Sequence, residues 1–236
     1  EYMVGANLTT NKNEVVKLFG GSPLGGQYDR IEEGMPIRYM WGYELGGILQ
    51  NQDSVDAYTA RVTNDGGRSD IRPGDMWFVD QNGDSILNDN DYVYLGKTLP
   101  GFFYGFNVSL MYKGFDFNIV ITGIGDVQAY NGTRAGLEGS GANGINLSRS
   151  VLDSWTPTNT GTDMPRAVYE DPAGNGRMSS RFVESAAYAR LSNLELGYTV
   201  PKSVLDKIKV ANAFRVYVSG SNLLLMTKWK GVDPEN

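Results

Sequence analysis

Six residues between Asp80 and Asp91 offer oxygen at intervals that suit a hard cation. Asp80, Asn82, Asp84 and Asp91 stand at positions 1, 3, 5 and 12 of a calcium loop. Position 7 falls on the carbonyl of Ile86 and position 9 on the side chain of Asn88. Calcium wants six to eight oxygens, and this spacing gathers them around one tight turn. Two positions depart from the pattern. Ser85 stands where glycine makes the bend, and Asp91 replaces a longer bidentate Glu. The alternative is a plain hairpin, since Asn82-Gly83 is a strong turn by itself. Carboxylates crowded without a cation repel one another. The expectation is therefore a structural calcium ion, held by Asp80, Asn82, Asp84, Ile86, Asn88 and Asp91.

Other chemistry is restricted by what the chain lacks. It contains no Cys and no His. Thiol catalysis, disulfides, structural zinc and imidazole bases are excluded together. An enzyme here would need carboxylates, Ser, Lys or Tyr, and outside the metal-spaced loop no isolated acidic pair stands out. No catalysis is expected. The formal charge is −6 with no basic cluster, which argues against nucleic acid. Gly139–Gly144 fits G-x-G-x-x-G, but without a βαβ context it reads as a glycine-rich loop tip. Arg134, Arg149, Arg166, Tyr130 and Trp155 fit either ligand contacts or a solvated loop surface.

The elements that must position these residues read as β structure. The 236 residues include 30 Gly and 14 Tyr, and no apolar run is long enough for a transmembrane helix. Residues 101–124 are the clearest segment. Tyr104, Phe106, Val108, Leu110 and Tyr112 alternate with Gly105, Asn107 and Ser109; Lys113-Gly114 makes a turn; Phe115, Phe117, Ile119 and Ile121 then oppose Asp116, Asn118 and Thr122. Each arm has about the ~9–11 residues of a tilted bilayer-spanning strand. A soluble β-sandwich alternates in the same way. The two differ in what meets the apolar face, a second protein layer or lipid.

Elsewhere, Tyr2–Leu8 and Val15–Phe19 read as a second hairpin about an Asn11-Lys12-Asn13 turn. Residues 36–49 read as short β with bends, 50–75 as polar loop, and the flanks of the acidic loop as strands. Residues 125–180 form a long polar segment with a short helix at Leu147–Trp155. Then come a strand at 187–200, a helix at 201–209 and a strand at 213–225. If the turn at 113–114 is periplasmic, strand parity makes 20–100, with its loop at 80–91, one extracellular excursion and 125–186 another.

Spread over most of the chain are Trp41-Gly-Tyr43, Pro73-Gly-Asp75, Phe78-Val-Asp-Gln-Asn-Gly-Asp84, Pro100-Gly-Phe-Phe-Tyr-Gly-Phe106, Tyr130-Asn-Gly-Thr-Arg134, Ser154-Trp-Thr-Pro157, Leu196-Gly-Tyr-Thr-Val-Pro201, Val216-Tyr-Val-Ser-Gly-Ser-Asn222 and Asp233-Pro-Glu235. In this order they resemble the C-terminal part of SusC/RagA-type TonB-linked outer-membrane proteins. The resemblance implies an all-β, antiparallel up-and-down transmembrane barrel segment with long extracellular loops, cut from a barrel of about 22 strands. Residues 1–236 would all belong to that barrel, with the plug, the TonB-contacting part and the terminal strand outside this stretch. It also implies import of oligosaccharides or peptides across a Gram-negative, Bacteroidota-type outer membrane, with a SusD-like surface lipoprotein as partner and TonB as the energy source. The family usually has glycine at the place of Ser85, and often an acidic-Gly-Ser run where Ser185-Ala186-Ala187 stands. The competing reading is a soluble, calcium-stabilised β-sandwich that binds glycans, with Trp41, Trp77 or Trp155 as stacking platforms.

Overall fold

A computed structural model describes residues 1–26, 28–68, 70–139, 146–208 and 211–235. In chain order the strands are β1 (Tyr2–Thr10), β2 (Leu24–Gly25), β3 (Asp29–Ile31), β4 (Tyr39–Tyr43), β5 (Leu45–Ile48), β6 (Met76–Phe78), β7 (Tyr92–Lys97), β8 (Phe102–Tyr112), β9 (Phe115–Gly125), β10 (Gln128–Tyr130), β11 (Val183–Ser185), β12 (Tyr188–Thr199) and β13 (Arg215–Thr227). The α-helices are α1 (Gln52–Arg61), α2 (Gly132–Glu138) and α3 (Lys202–Ile208).

The long strands make one antiparallel sheet in the order β1-β8-β9-β12-β13. Lys113 and Gly114 both take positive φ, 48° and 86°, as a two-residue hairpin that matches strand twist requires. Register then sorts the side chains into two faces. Val4 pairs with Val108 and Val108 with Ile119; Leu196 pairs with Phe117 and with Val218. Those residues share one face. Asn107, Asn118, Glu195 and Ser219 share the other. A bulge between Leu191 and Asn193 inserts Ser192, whose hydroxyl lies 2.6 Å from that of Thr122. The extra residue lets Leu191 and Leu194 sit on the same face despite their odd spacing, because a one-residue slip reverses a strand's faces.

Among the described residues, no second sheet covers the apolar face. Tyr2 is 81 % exposed, Leu8 68 % and Val218 68 %. A buried core lies elsewhere, in the connection between β1 and β8, and Trp155, Met164, Met178 and Phe182 are buried in the connection between β9 and β12. In the first connection Tyr43, Leu49, Val55, Tyr58, Val62, Met76, Phe78 and Leu87 pack together. Met76 and Phe78 are fully enclosed, at 0 % exposure. Around this core, β2, β3, β4 and β7 form a small sheet and β5 pairs with β6.

Two expectations need correction. Residues 15–19 do not pair with β1. The partner of β1 is β8, which meets it along all nine residues from Tyr2 to Thr10. Val15 instead bonds to the backbone of Gly34 and Met35. Asn11 is therefore no short turn at the hairpin end of the sheet. Its amide donates to the Gly101 carbonyl at 2.7 Å, at the opposite end from Gly114. The whole of 11–101 is one excursion, and it leaves from the same end as the connection between β9 and β12. Second, residues 50–75 are not all loop, since they contain α1. Asn51 caps it by accepting from the Ser54 amide at 2.8 Å, while Ser54 closes the capping box. Val55 and Tyr58 then face the core.

The segment at 36–49 is short β with bends, as its glycines suggested; a Cβ on Gly46 would meet the Trp77 ring at 2.3 Å. The helix at 201–209 is present as α3. The helix at 147–155 shrinks to a 3-10 turn, Arg149–Asp153. The G-x-G-x-x-G match falls almost wholly outside the described residues.

Truncating Phe78 removes an aromatic ring from the centre of the outer core. We expect Phe78→Ala to cost about 3–5 kcal/mol of local stability. Limited proteolysis of the full-length protein should show earlier cleavage across 43–92 in the variant, with the five-stranded sheet still resistant.

Candidate functional site

The acidic loop between β6 and β7 folds on its own hydrogen bonds. The Asp80 carboxylate accepts from the amides of Gly83 and Ser85, at 2.7 and 3.0 Å. Asn82 accepts from the Asp84 amide at 2.9 Å, and Asp84 from the Ile86 amide at 2.8 Å. Asp91 is fully buried and ties the loop ends together, accepting from Gln81 at 2.9 Å and Asn88 at 2.8 Å. The Asn88 side chain accepts from the Asn90 amide at 2.8 Å, and its amide group lies 3.4 Å from the Ile86 carbonyl. Ser85 takes φ 66°. The bend that usually calls for glycine is therefore made with a serine in the left-handed region, at some cost in strain.

Every candidate ligand in this loop is oxygen, the donor type that a hard cation prefers. Each carboxylate oxygen has two lone pairs, so one amide bond does not exhaust it. Among the described residues, however, no three acidic side chains are drawn together as a metal ion would hold them.

The remaining polar chemistry locks the two long connections together. Asp75, at 0 % exposure, accepts from the Arg72 amide, from Arg166 at 2.8 Å and from Asn175 at 3.0 Å. Asn175 in turn accepts from the Met76 amide at 2.8 Å. Asp65 takes the Tyr58 hydroxyl at 2.7 Å, Arg68 at 2.9 Å and Arg177 at 3.2 Å. Burial pushes the Tyr58 hydroxyl pKa well up, and the bond to Asp65 adds to it. Burial, helped by the like charge of Arg177, pulls Arg68 below its ordinary value, against the opposing pull of Asp65. Removing one partner from such a cluster leaves a buried charge uncompensated, at about 3–5 kcal/mol.

Arg166 and Trp155, weighed as ligand contacts, belong to this lock. The Trp155 indole donates to Gln50 at 2.8 Å. Tyr130 stacks on Tyr28 with ring centroids 4.4 Å apart. Arg134 is held by Glu138 at 2.8 Å and Glu184 at 2.7 Å, next to the Arg181–Glu138 pair at 2.9 Å. Trp41 and Trp77 are engaged too: Arg30 lies over Trp41 at 4.4 Å, and Arg61 lies over Trp77 at 5.3 Å. Neither ring stands free as a platform. Sequence reasoning missed Asp65, Asp75, Asn175 and Arg177. Their partners lie up to 112 residues away, and no local spacing signals such pairs.

Burial would raise the Glu184 carboxyl. Bonds from Asn131, Arg134 and the Lys230 amide outweigh burial and hold it below the usual glutamate value. A depressed carboxyl contributes stability that is present above its unfolded pKa and lost as pH falls through the folded one. We expect hydrogen exchange around 128–138 and 183–185 to stay slow at neutral pH. It should accelerate, after correction for intrinsic rates, once pH drops below the ordinary glutamate range. Glu184→Gln should flatten that response.

The main sheet's polar face carries Asp116, Asn118, Thr122, Asn193 and Glu195. Near the β8–β9 turn, Arg215 bridges Asp116 and Glu195, at 2.5 Å to each.

Comparison with known proteins places these features. The chain is 36 % identical over 239 residues to TonB-dependent receptor P3 of Formosa agariphila, covering 97 % of this chain and 22 % of the relative. It is 30 % identical over 236 residues to TonB-dependent receptor P26 of the same organism. It is 27 % identical over 237 residues to TonB-dependent receptor SusC of Bacteroides thetaiotaomicron, covering 97 % of this chain and 21 % of the relative. Among solved structures, the RagAB peptide transporter superposes with a TM-score of 0.76 at 24 % identity, covering 99 % of this chain and 24 % of that one. That likeness is of fold. No family model matches. The chain spans about a fifth to a quarter of the length of the curated relatives it matches.

Proposed function

Taking this chain as a stretch of a SusC/RagA-type TonB-dependent receptor, we propose that it forms wall and outer cap of an outer-membrane importer. The β1-β8-β9-β12-β13 sheet is the wall. Its apolar face meets lipid and its polar face, with Asn107, Asn118 and Glu195, meets the lumen. The connections at 11–101 and 126–187 stand on the extracellular side. There they contact a SusD-like surface lipoprotein and the imported oligosaccharide or peptide. TonB acts through parts of the protein outside this stretch, and this segment does no catalysis.

One observation carries the reading. The apolar sheet face is bare, while the buried core sits in the connections beyond one end of the sheet. A β-sandwich would bury that face first, so the glycan-binding sandwich has no support here. Aromatic residues at the ends of the face, such as Tyr2, Tyr112, Phe115 and Phe102, fit interfacial girdles.

A pair of neighbouring substitutions tests the wall. Val108→Lys places a cation in hydrocarbon, at about 2–4 kcal/mol near the bilayer midplane. Asn107→Lys places it in the lumen. We expect the first to reduce folded full-length protein in the outer membrane and the second to leave the level unchanged. Equal tolerance would contradict the assignment of faces. For transport, cells should take up labelled oligosaccharide or peptide only with the full-length gene, TonB and the lipoprotein gene intact. Uptake that survives deletion of the lipoprotein gene would remove the partner from the account.

The loop at 80–91 is proposed as a structural calcium site, supported by its oxygen-only donors. Chelation should speed protease cleavage within 76–95, and added calcium should reverse it. Identical digestion in both states would argue for a loop that stands on its Asx turns alone.

A further inference from the structure

The apolar face of the wall is not smooth. At its outer end lies an open groove of about 640 Å³, bounded on one side by Phe102 and Tyr104 and on the other by Met226 and Lys228. Its floor is low for a physical reason. A Cβ on Gly125 would meet the Phe102 ring at 2.1 Å, and one on Gly123 would meet the Tyr104 ring at 2.3 Å. The rings lie down over the glycines and leave a trough beside them, above Ala187 and Ala189. The Tyr104 hydroxyl fixes that posture by donating to the Tyr188 carbonyl at 3.1 Å.

Charge at the outer rim is asymmetric. Asp126 is paired with Lys97. Lys228 follows β13 directly, two residues after Met226 and on the same side, and it is exposed. Among the described residues it forms no ion pair. The groove thus joins an apolar trough, open along the strand direction, to an uncompensated cation at the level of the membrane surface.

From this geometry we infer a lipid site. A phosphorylated lipid of the outer leaflet lays one acyl chain between Tyr104 and Met226 and sets its phosphate on the Lys228 ammonium. The inference rests on the reading that this face meets the membrane. It goes further by specifying one position on the wall and an anionic headgroup. A phosphate supplies the charge that Lys228 lacks, and the chain covers surface that the flanking rings leave open.

The test uses the full-length protein in nanodiscs of phosphatidylcholine doped with monophosphoryl lipid A, with retained lipid counted by native mass spectrometry. Wild type should retain lipid A above its bulk share. Lys228→Gln should lower that retention about five-fold, as expected for one cation at a membrane surface. Ala189→Phe, which fills the trough without altering charge, should lower it too, while Asn107→Ala on the opposite face should not. Retention in both Lys228→Gln and Ala189→Phe equal to wild type would overturn the site and leave the membrane wall standing. Failure of wild type itself to enter nanodiscs would overturn the wall, and the site with it.

Discussion

An aliphatic and aromatic surface that none of the described residues covers calls for another covering. Five strands present such a surface, and it runs without interruption from Val4 through Val108, Ile119 and Leu196 to Val218. Water is a poor covering, at roughly 25 cal/mol for each Å² of apolar area. Hydrocarbon is a good one, but it sets its own condition: backbone polar groups within it must be paired. The three inner strands meet that condition with neighbours on both sides. β1 and β13 are each paired on one side only among the described residues. Under the proposed function, lipid on one face and further wall at both edges would satisfy both requirements together.

This placement of apolar residues explains why the connections fold as they do. The sheet's apolar face packs against none of the described connections as a core, and the first connection makes its own. Phe78, Met76 and Leu87 supply its centre, and α1 closes over it through Val55 and Tyr58. The second connection buries Trp155, Met164, Met178 and Phe182 and is also tied to the first by charge. Asp75 and Asp65 receive Arg166, Asn175 and Arg177 from across the chain. A buried polar lock of this kind fixes one arrangement of the two connections more than it adds stability.

What could be read in the sequence follows the same division. β8, β9, β12 and β13 were legible because period-two alternation is a local signal and a two-faced wall imposes it. The Lys113-Gly114 turn and the helix before Lys209 were legible through turn and proline chemistry. The partner of β1 was not, because hairpin logic favours a near neighbour, and the true partner β8 begins 92 residues after Thr10 (102 − 10). Helix α1 was hidden by its polar outer face; the Asn51 and Ser54 capping pair was the signal to find it. In the acidic loop, Asn82-Gly83 marked the turn, while Ser85 in the left-handed region had no local signal of its own. The charged lock stayed invisible, since its members are ordinary surface residue types until the fold buries them.

The central claim is that the apolar face touches lipid. Spin labels placed singly along 103–111 of the full-length protein, reconstituted in bilayers, test it directly. Exchange with membrane-dissolved oxygen should be high at Tyr104, Phe106, Val108 and Leu110. It should be low at Phe103, Gly105, Asn107, Ser109 and Met111, where a water-soluble relaxer should act instead. Uniformly low access to both reagents would place a protein layer over that face and contradict the account.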